Sequence, residues 1–234
     1  MVKPGRCAII FVFVVAFFSF VAATAQAQTI LHVNRTDPTC GGQSPCFATI
    51  QAAIDAAGPG NIIRIQAGTY PEQLQIQKND FTGATEADRI VIEADPALAQ
   101  EQVILQGPGG SSCTNNFAIR IRRSKFVTIR GLTITGAGAQ AIFMQGGNNG
   151  NQGVHIELNR LFGNSVGNNC NGGLEINAGN PGTIVANNLI YGNGRNGIAI
   201  LDSGGPQYIV NNTIYANRWN GVDVSAGQQV LLAN

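Results

Sequence analysis

The chain has 234 residues, of which 12% are charged, 44% are hydrophobic and 30 are glycines. Its formal net charge of +1 argues against nucleic-acid binding, and its apolar content argues against a disordered chain. Glycine and asparagine are abundant and the helix formers lysine, glutamate and methionine are scarce, which excludes a helical bundle.

Residues 1–27 have the pattern of a secretory signal peptide. Lys3 and Arg6 precede an apolar run from Ala8 to Ala22, and Ala25-Gln26-Ala27 marks a cleavage site after residue 27. The apolar run is short for a membrane helix, so no stable span is expected after cleavage. We expect a protein that is secreted, periplasmic or at the cell surface.

Four cysteines follow the leader, and an even number permits disulfide bonds in an exported chain. Cys40 and Cys46 flank a flexible turn, and we expect them to pair. Cys113 and Cys170 can pair if the loops that carry them approach each other. The cysteine spacing does not fit a zinc site, and no metal ligand is assigned.

Residues 28–60 are predicted to form an N-terminal strand and a short capping helix. Ser44-Pro45 is typical of a helix start, Ile50 and Ile54 follow at helical spacing, and Gly58 can end the helix. Such a helix would cover the open end of a stack of repeats.

Residues 61–234 repeat short, β-branched segments bounded by glycine and asparagine. The apolar anchors Ile134, Leu161, Ile190 and Ile214 recur every 24–29 residues. A second strand element has a similar period, at residues 141–144, 173–176, 197–200 and 221–224. Strands repeated without intervening helices predict coils stacked about 4.8 Å apart, and therefore an all-β parallel β-helix, or solenoid. The strong preference of parallel crossovers favours a right-handed coil.

Asparagine recurs at fixed positions of the coil. Asn159, Asn188, Asn212 and Asn234 are predicted to share one position, and Asn164, Asn193 and Asn217 a second one. Stacked amides can bond to one another along the axis, so a structural ladder is favoured over a ligand site.

The last residues, Val230–Asn234, restart the repeat and stop inside it. An uncapped coil would expose apolar core and an unpaired strand edge. We expect a truncated C-terminal end that is covered by further coils or by a capping partner.

Three further features stand out in the sequence: the segments Ala48–Asp55 and Ala67–Glu72, and the pattern Asn-Asn-x-Ile-Tyr-x-Asn at residues 187–193 and 211–217. Together they resemble β-helix proteins of the pectate-lyase-like superfamily. The resemblance covers residues 30–234 and implies a right-handed parallel β-helix. Relatives include lyases, epimerases and polygalacturonases, which implies a polysaccharide ligand, although one fold hosts many functions. The catalytic motifs of pectin methylesterases and polygalacturonases are missing, so no catalytic residue is transferred.

Stacking the coils places outward residues in columns. One column is predicted to contain Arg120, Phe143, Glu175, Ala199 and Asp223. The neighbouring column is predicted to contain Arg122, Gln145, Asn177, Leu201 and Ser225. Carboxylates two coils apart would be separated by about 10 Å.

The candidate catalytic residues are Arg195, Arg218, Glu175 and Asp223. A uronate-degrading site needs a cation to neutralise the carboxylate and a base to take the C5 proton. The candidate substrate-binding residues are Trp219, Asp202, Arg120 and Arg122. The alternative is that these are ordinary polar residues of a solvated sheet face, with local ion pairs such as Arg130–Glu157.

We therefore expect an exported β-helix protein that engages an extracellular or cell-wall polysaccharide, by binding or by lyase- or epimerase-type processing of uronic-acid polymers. No cofactor is required, although calcium is compatible with such a site. The alternative is a non-catalytic surface or periplasmic scaffold. An enzyme would require Arg195, Arg218, Glu175 and Asp223 to face one shallow groove.

Overall fold

The computed structural model describes residues 28–147, 150–202 and 204–234. The predicted signal peptide lies outside the described residues. Successive coils of the chain add one strand to each of three parallel sheets, with the apolar core between them. The predicted right-handed parallel β-helix with one short α-helix is confirmed.

The strands of each sheet are hydrogen-bonded in the order in which the coils stack. Sheet A contains β2 (Cys46–Phe47), β1 (Ile30–Val33), β3 (Ile62–Ile65), β6 (Ile90–Ala94), β9 (Val127–Arg130), β12 (His155–Glu157), β15 (Thr183–Ala186), β18 (Gln207–Val210) and β21 (Val230–Ala233). Sheet B contains β4 (Gly68–Tyr70), β7 (Val103–Gln106), β10 (Thr133–Thr135), β13 (Arg160–Phe162), β16 (Leu189–Tyr191) and β19 (Thr213–Tyr215). Sheet C contains β5 (Leu74–Ile76), β8 (Ile119–Ile121), β11 (Ile142–Gln145), β14 (Leu174–Asn177), β17 (Ile198–Asp202) and β20 (Val222–Val224).

The core is built from columns of aliphatic side chains that stack from coil to coil. In sheet A the register places Ile63, Ile92, Ile129, Ile156 and Val185 in one column. All five side chains are buried. Burial of each aliphatic side chain contributes roughly 1.5–3 kcal/mol, so the free energy of folding comes from contacts repeated between adjacent coils.

The α-helix α1 (Ile50–Ala56) covers the N-terminal end of this core, with Ile50, Ala53 and Ile54 buried. The predicted start at Ser44-Pro45 is wrong. Cys46 is bonded to Cys40 and lies in a strand beside β1, which leaves Thr49 as the N-cap. The Glu72 carboxylate accepts hydrogen bonds from the amides of Ile50 and Gln51, both at 3.0 Å, and satisfies the first turn.

From β9 onwards, the corner between sheets A and B has only two residues in each coil. Its first residue has a left-handed backbone at Gly131, Leu158, Asn187 and Asn211, with φ between 52° and 75°. Its second residue carries the predicted ladder. Asn159 donates to the side-chain oxygen of Asn188 at 3.1 Å, and Asn188 donates to that of Asn212 at 2.9 Å.

The second ladder, Asn164–Asn193–Asn217, has the same pattern. Asn234 does not extend the first ladder. The register places Ala233 beside Val210, so Asn234 follows one position too early to stack on Asn212. The ladder amides also form hydrogen bonds with backbone groups. For example, the Asn188 side chain donates to the carbonyl of Ile156 in the preceding coil.

A column of alternating charge crosses the outer face of sheet A. The buried Glu93 carboxylate lies between Arg64 at 2.8 Å and Arg130 at 2.6 Å. The predicted pair Arg130–Glu157 is present at 3.7 Å, but Arg130 lies closer to Glu93. Two cations around one buried carboxylate offset its desolvation, which a single exposed pair could not do.

Two disulfide bonds are present, Cys40–Cys46 and Cys113–Cys170, with Cα–Cα distances of 5.7 and 5.2 Å. The loops that carry Cys113 and Cys170 therefore do approach each other. No helix within the described residues is long and apolar enough to cross a lipid bilayer.

His155 lies half-buried in β12, between Thr128 and Ile184 of the adjacent strands. Burial lowers its pKa, and the Arg89 guanidinium, 3.4 Å away, lowers it further. The carboxylates of Glu86 and Glu157 act in the opposite direction but do not reverse the shift.

Removal of one ladder amide should destabilise the coil stack. Asn188→Ala leaves the backbone amide of Asn159 and the carbonyl of Ile156 without their side-chain partners. We expect the free energy of unfolding to fall by roughly 2–4 kcal/mol, measured by urea denaturation. Asn211→Gly, at an exposed left-handed position, is the control and should have little effect. Equal stability of both variants would contradict a structural ladder.

The lowered His155 pKa should make stability depend on pH. The unfolded state takes up the proton first, so stability is full above the unfolded pKa of about 6.5 and is lost as the pH falls below it. The urea concentration at the midpoint of unfolding should therefore decrease as the pH is lowered from 7.5 to 5. The decrease should be smaller in the His155→Gln variant. His32, whose pKa is also lowered by burial, remains in the variant and accounts for a residual slope. Identical slopes would show that His155 is not the group involved.

Candidate functional site

The outer face of sheet C carries the column predicted from the sequence. The register pairs Arg120 with Phe143, Phe143 with Glu175, Glu175 with Ala199, and Ala199 with Asp223. Glu175 and Asp223 are therefore two coils apart, about 10 Å, with the small Ala199 between them.

The neighbouring column departs from the prediction at β17. A register shift after Ile176 pairs Asn177 with Asp202 instead of Leu201. Asp202 is exposed at the end of β17. Such a bulge changes the direction of the side chains that follow it. The repeat period therefore does not predict which residues are paired at this point.

Glu175 is only 6% exposed and is held by neutral amides. Gln140 and Asn171 donate to its Oε2 at 2.6 and 2.9 Å, and Asn177 donates to Oε1 at 3.3 Å. A buried carboxylate needs such partners, because an isolated charge away from water is costly. None of the described basic residues forms a salt bridge with it.

The amides continue from Glu175 to Asp223. The Asn196 side chain donates both to Asn171 Oδ1 and to Asp223 Oδ2, each at 2.9 Å. We call the connected residues Gln140, Asn171, Glu175, Asn196 and Asp223 the amide–carboxylate row. The row fixes both carboxylates on one face without a cation.

A stacked cation and aromatic ring lie at the corner that leads into sheet C. The Arg195 guanidinium lies 4.4 Å from the centroid of the Trp219 ring. It also donates to the carbonyl of Asn169 at 3.2 Å. Trp219 is 54% exposed, so much of its surface remains open to a ligand. The contact restricts two side chains that would otherwise be mobile.

The other predicted residues are further from this corner or less organised. Arg218 is exposed, and its side chain has no hydrogen bond or ion pair to any described residue. Arg120 donates to Gln75 at 2.8 Å and covers Phe117, and burial lowers its pKa. Arg122 is exposed two coils from Glu175. The structure therefore groups Glu175 and Asp223 in one row, places Arg195 and Trp219 beside it, and separates Arg120 and Arg122.

Most of the five basic residues between Arg120 and Arg130 are engaged in local contacts. Arg123 pairs with Asp80 at 2.6 Å, and Lys125 donates to the carbonyl of Phe81 at 2.8 Å. These residues therefore fit the alternative interpretation, in which they are ordinary polar residues with local ion pairs.

Sequence reasoning missed the amides that hold the carboxylates. A signal was present, because Asn171, Asn196 and Asn220 each precede glycine just before a strand of sheet C. Two buried polar atoms here also have no partner among the described residues, the Gln140 Oε1 acceptor and the Arg195 Nε donor. Leaving such a group unpaired costs about 1–3 kcal/mol, so each of these atoms requires a structural or functional explanation.

The carboxylates do not converge as calcium ligands would. Ala199 separates Glu175 from Asp223, and each faces amide donors. No group of three His, Cys, Asp or Glu residues in the described part of the chain could hold a metal ion. A calcium ion takes six to eight oxygen ligands, which include amide, carbonyl and water oxygens, so the calcium dependence stays a prediction.

The family model for a right-handed beta helix region matches residues 112–234, more than half of the chain. The chain belongs to this family. No curated protein matches the chain.

Three solved structures illustrate the similarity of the fold. A pectate lyase has a TM-score of 0.57 at 16% identity, over 82% of this chain and 55% of its own. A pectin methylesterase mutant bound to a hexasaccharide has a TM-score of 0.49 at 14% identity, over 87% and 59%. An alginate lyase from a Paenibacillus species has a TM-score of 0.43 at 14% identity, over 85% and 88%. The chain thus spans little more than half of the first two proteins, and identities this low establish the fold alone.

Arg195 should shield Trp219, the sole tryptophan of the sequence. In Arg195→Ala the ring loses its covering guanidinium, so quenching of its fluorescence by acrylamide should increase. Arg122→Ala removes the same charge from a distant coil and serves as the control, with quenching unchanged. Equal quenching in both variants would contradict the stacked geometry.

Proposed function

We propose that the chain binds a uronic-acid-containing polysaccharide on the outer face of sheet C, at the Arg195–Trp219 corner and the amide–carboxylate row. The observation that carries this proposal is the exposed Trp219 ring with the Arg195 guanidinium held over it. An aromatic face and a fixed cation beside a row of hydrogen-bonding groups match the apolar face, carboxylate and hydroxyls of a uronate.

Each part of the site suits a different part of the ligand. The Trp219 ring packs against the apolar face of a sugar ring, and Arg195 or the exposed Arg218 pairs with its carboxylate. The partly exposed Asp223 repels carboxylates and accepts hydrogen bonds from hydroxyls, whereas the buried Glu175 holds the amides of the row in place. The polymer would thus be oriented with its acidic groups towards the corner and its hydroxyls towards Asp223.

Binding is favoured over cleavage by the state of these side chains. A general base must reach the proton that it removes, but Glu175 is buried under three amide donors. Arg195 is engaged with Trp219 and Asn169. Lyase or epimerase activity is therefore the second expectation, and it is measured in the same experiment.

The site of action is proposed to lie outside the cytoplasm. The predicted signal peptide and two disulfide bonds both fit an oxidising, exported environment. Polysaccharides of cell walls and surfaces occur in that environment, so the location and the ligand agree.

Affinity for polygalacturonate, alginate and a neutral glucan should be measured by calorimetry, with calcium and with a chelator. We expect the two uronate polymers to bind and the glucan to bind more weakly. Trp219→Ala and Arg195→Ala should each lower the affinity about tenfold, equivalent to 1.4 kcal/mol, whereas Arg122→Ala should not. Ultraviolet absorbance of the same mixtures reports unsaturated products of a lyase. Absence of binding to every polymer would favour the scaffold alternative.

A further inference from the structure

Four consecutive residues, Asn168–Asn171, connect the site to a neighbouring loop, and we call them the strap. The Asn168 side chain donates to the carbonyls of Gly110 at 2.8 Å and Gly138 at 2.7 Å. These carbonyls belong to the segments before β8 and β11. The first residue of the strap is therefore tied to two earlier coils.

The next residues of the strap reach the functional groups directly. The Asn169 carbonyl accepts the hydrogen bond from Arg195. The Asn171 side chain donates to Glu175 and accepts from Asn196. One short segment thus holds the cation of the corner and the buried carboxylate of the row.

Cys170 lies between these two contacts and is 2% exposed. Its sulfur is bonded to Cys113, 57 residues earlier in the sequence, and its carbonyl accepts from the Ser165 hydroxyl at 2.9 Å. The segment around the strap lies in the long connection between β13 and β14, whose conformation no sheet ladder fixes. A covalent link at its centre therefore restricts both neighbouring contacts at once.

We infer that the Cys113–Cys170 disulfide is a positioning element of the polysaccharide site. It holds the strap so that Asn169 orients Arg195 over Trp219 and Asn171 orients Glu175. The consequence for ligand affinity rests on the proposed function, whereas the consequence for the Arg195–Trp219 contact does not. The other disulfide, Cys40–Cys46, closes a loop at the opposite end of the coil stack and has no such role.

The test compares the double variants Cys113→Ser/Cys170→Ser and Cys40→Ser/Cys46→Ser. Both should lower the urea midpoint, because a disulfide restricts the unfolded chain. Only the first should raise acrylamide quenching of Trp219 in the folded protein, to the level of Arg195→Ala. It should also lower the affinity for polygalacturonate about tenfold, equivalent to 1.4 kcal/mol.

Asn168→Ala is the second variant, and it loosens the strap while both disulfides remain. It should change Trp219 quenching in the same direction by a smaller amount, and it decides the question if the double variant does not fold. Unchanged quenching with a lower urea midpoint would overturn the inference and leave the disulfide a purely stabilising role. If no polymer binds the wild-type chain, the proposed function fails, but the quenching comparison still tests the strap.

Discussion

The coil-to-coil register is the constraint on which the molecule depends. Strands of three residues carry few hydrogen bonds, so a slip of one residue would turn a core side chain towards solvent. The asparagine ladders oppose this slip, because Asn159, Asn188 and Asn212 bond to one another only when the corners superimpose. Core packing and the two-residue corners thus specify the same alignment.

The same alignment turns sequence positions into neighbours on the surface. Glu175 and Asp223 are 48 residues apart in the chain, yet one intervening strand separates them in sheet C. The buried amides between them convert this alignment into a fixed arrangement of charge. By contrast, the corner with Arg195 and Trp219 is not held by strand hydrogen bonds. Its side chains are positioned by the strap, which lies in a loop.

The repetitive features of the fold could be predicted from the sequence. Anchors such as Ile134 and Leu161 identify strands, and their period predicts the outward column from Arg120 to Asp223. The irregular features could not be read in this way. The bulge that brings Asp202 beside Asn177 has no periodic signal. The helix start at Thr49 depends on Cys46 being held in a strand by Cys40 and β1, which local propensity at Ser44-Pro45 does not reveal.

Residue types at the site were predictable, whereas their partners were not. Outward Glu175 follows from strand alternation, but its burial depends on Gln140 and Asn171 from other segments. Contacts across coils need the actual loop paths, because the connections to sheet C differ in length from one coil to the next. The pairing of Arg195 with Trp219 likewise depends on how two successive corners stack.

One strand, which carries the small Ala199, separates Glu175 from Asp223, and this spacing limits how the distance between the two carboxylates can change during evolution. Distances along the axis come in steps of one coil, about 4.8 Å, and cannot be adjusted continuously by moving a strand. Insertion or loss of one whole coil between β14 and β20 would shift the two carboxylates by one step and leave the core columns intact. Evolution on this scaffold can therefore alter the spacing of ligand contacts in discrete units, while loops at the corners tune their orientation separately.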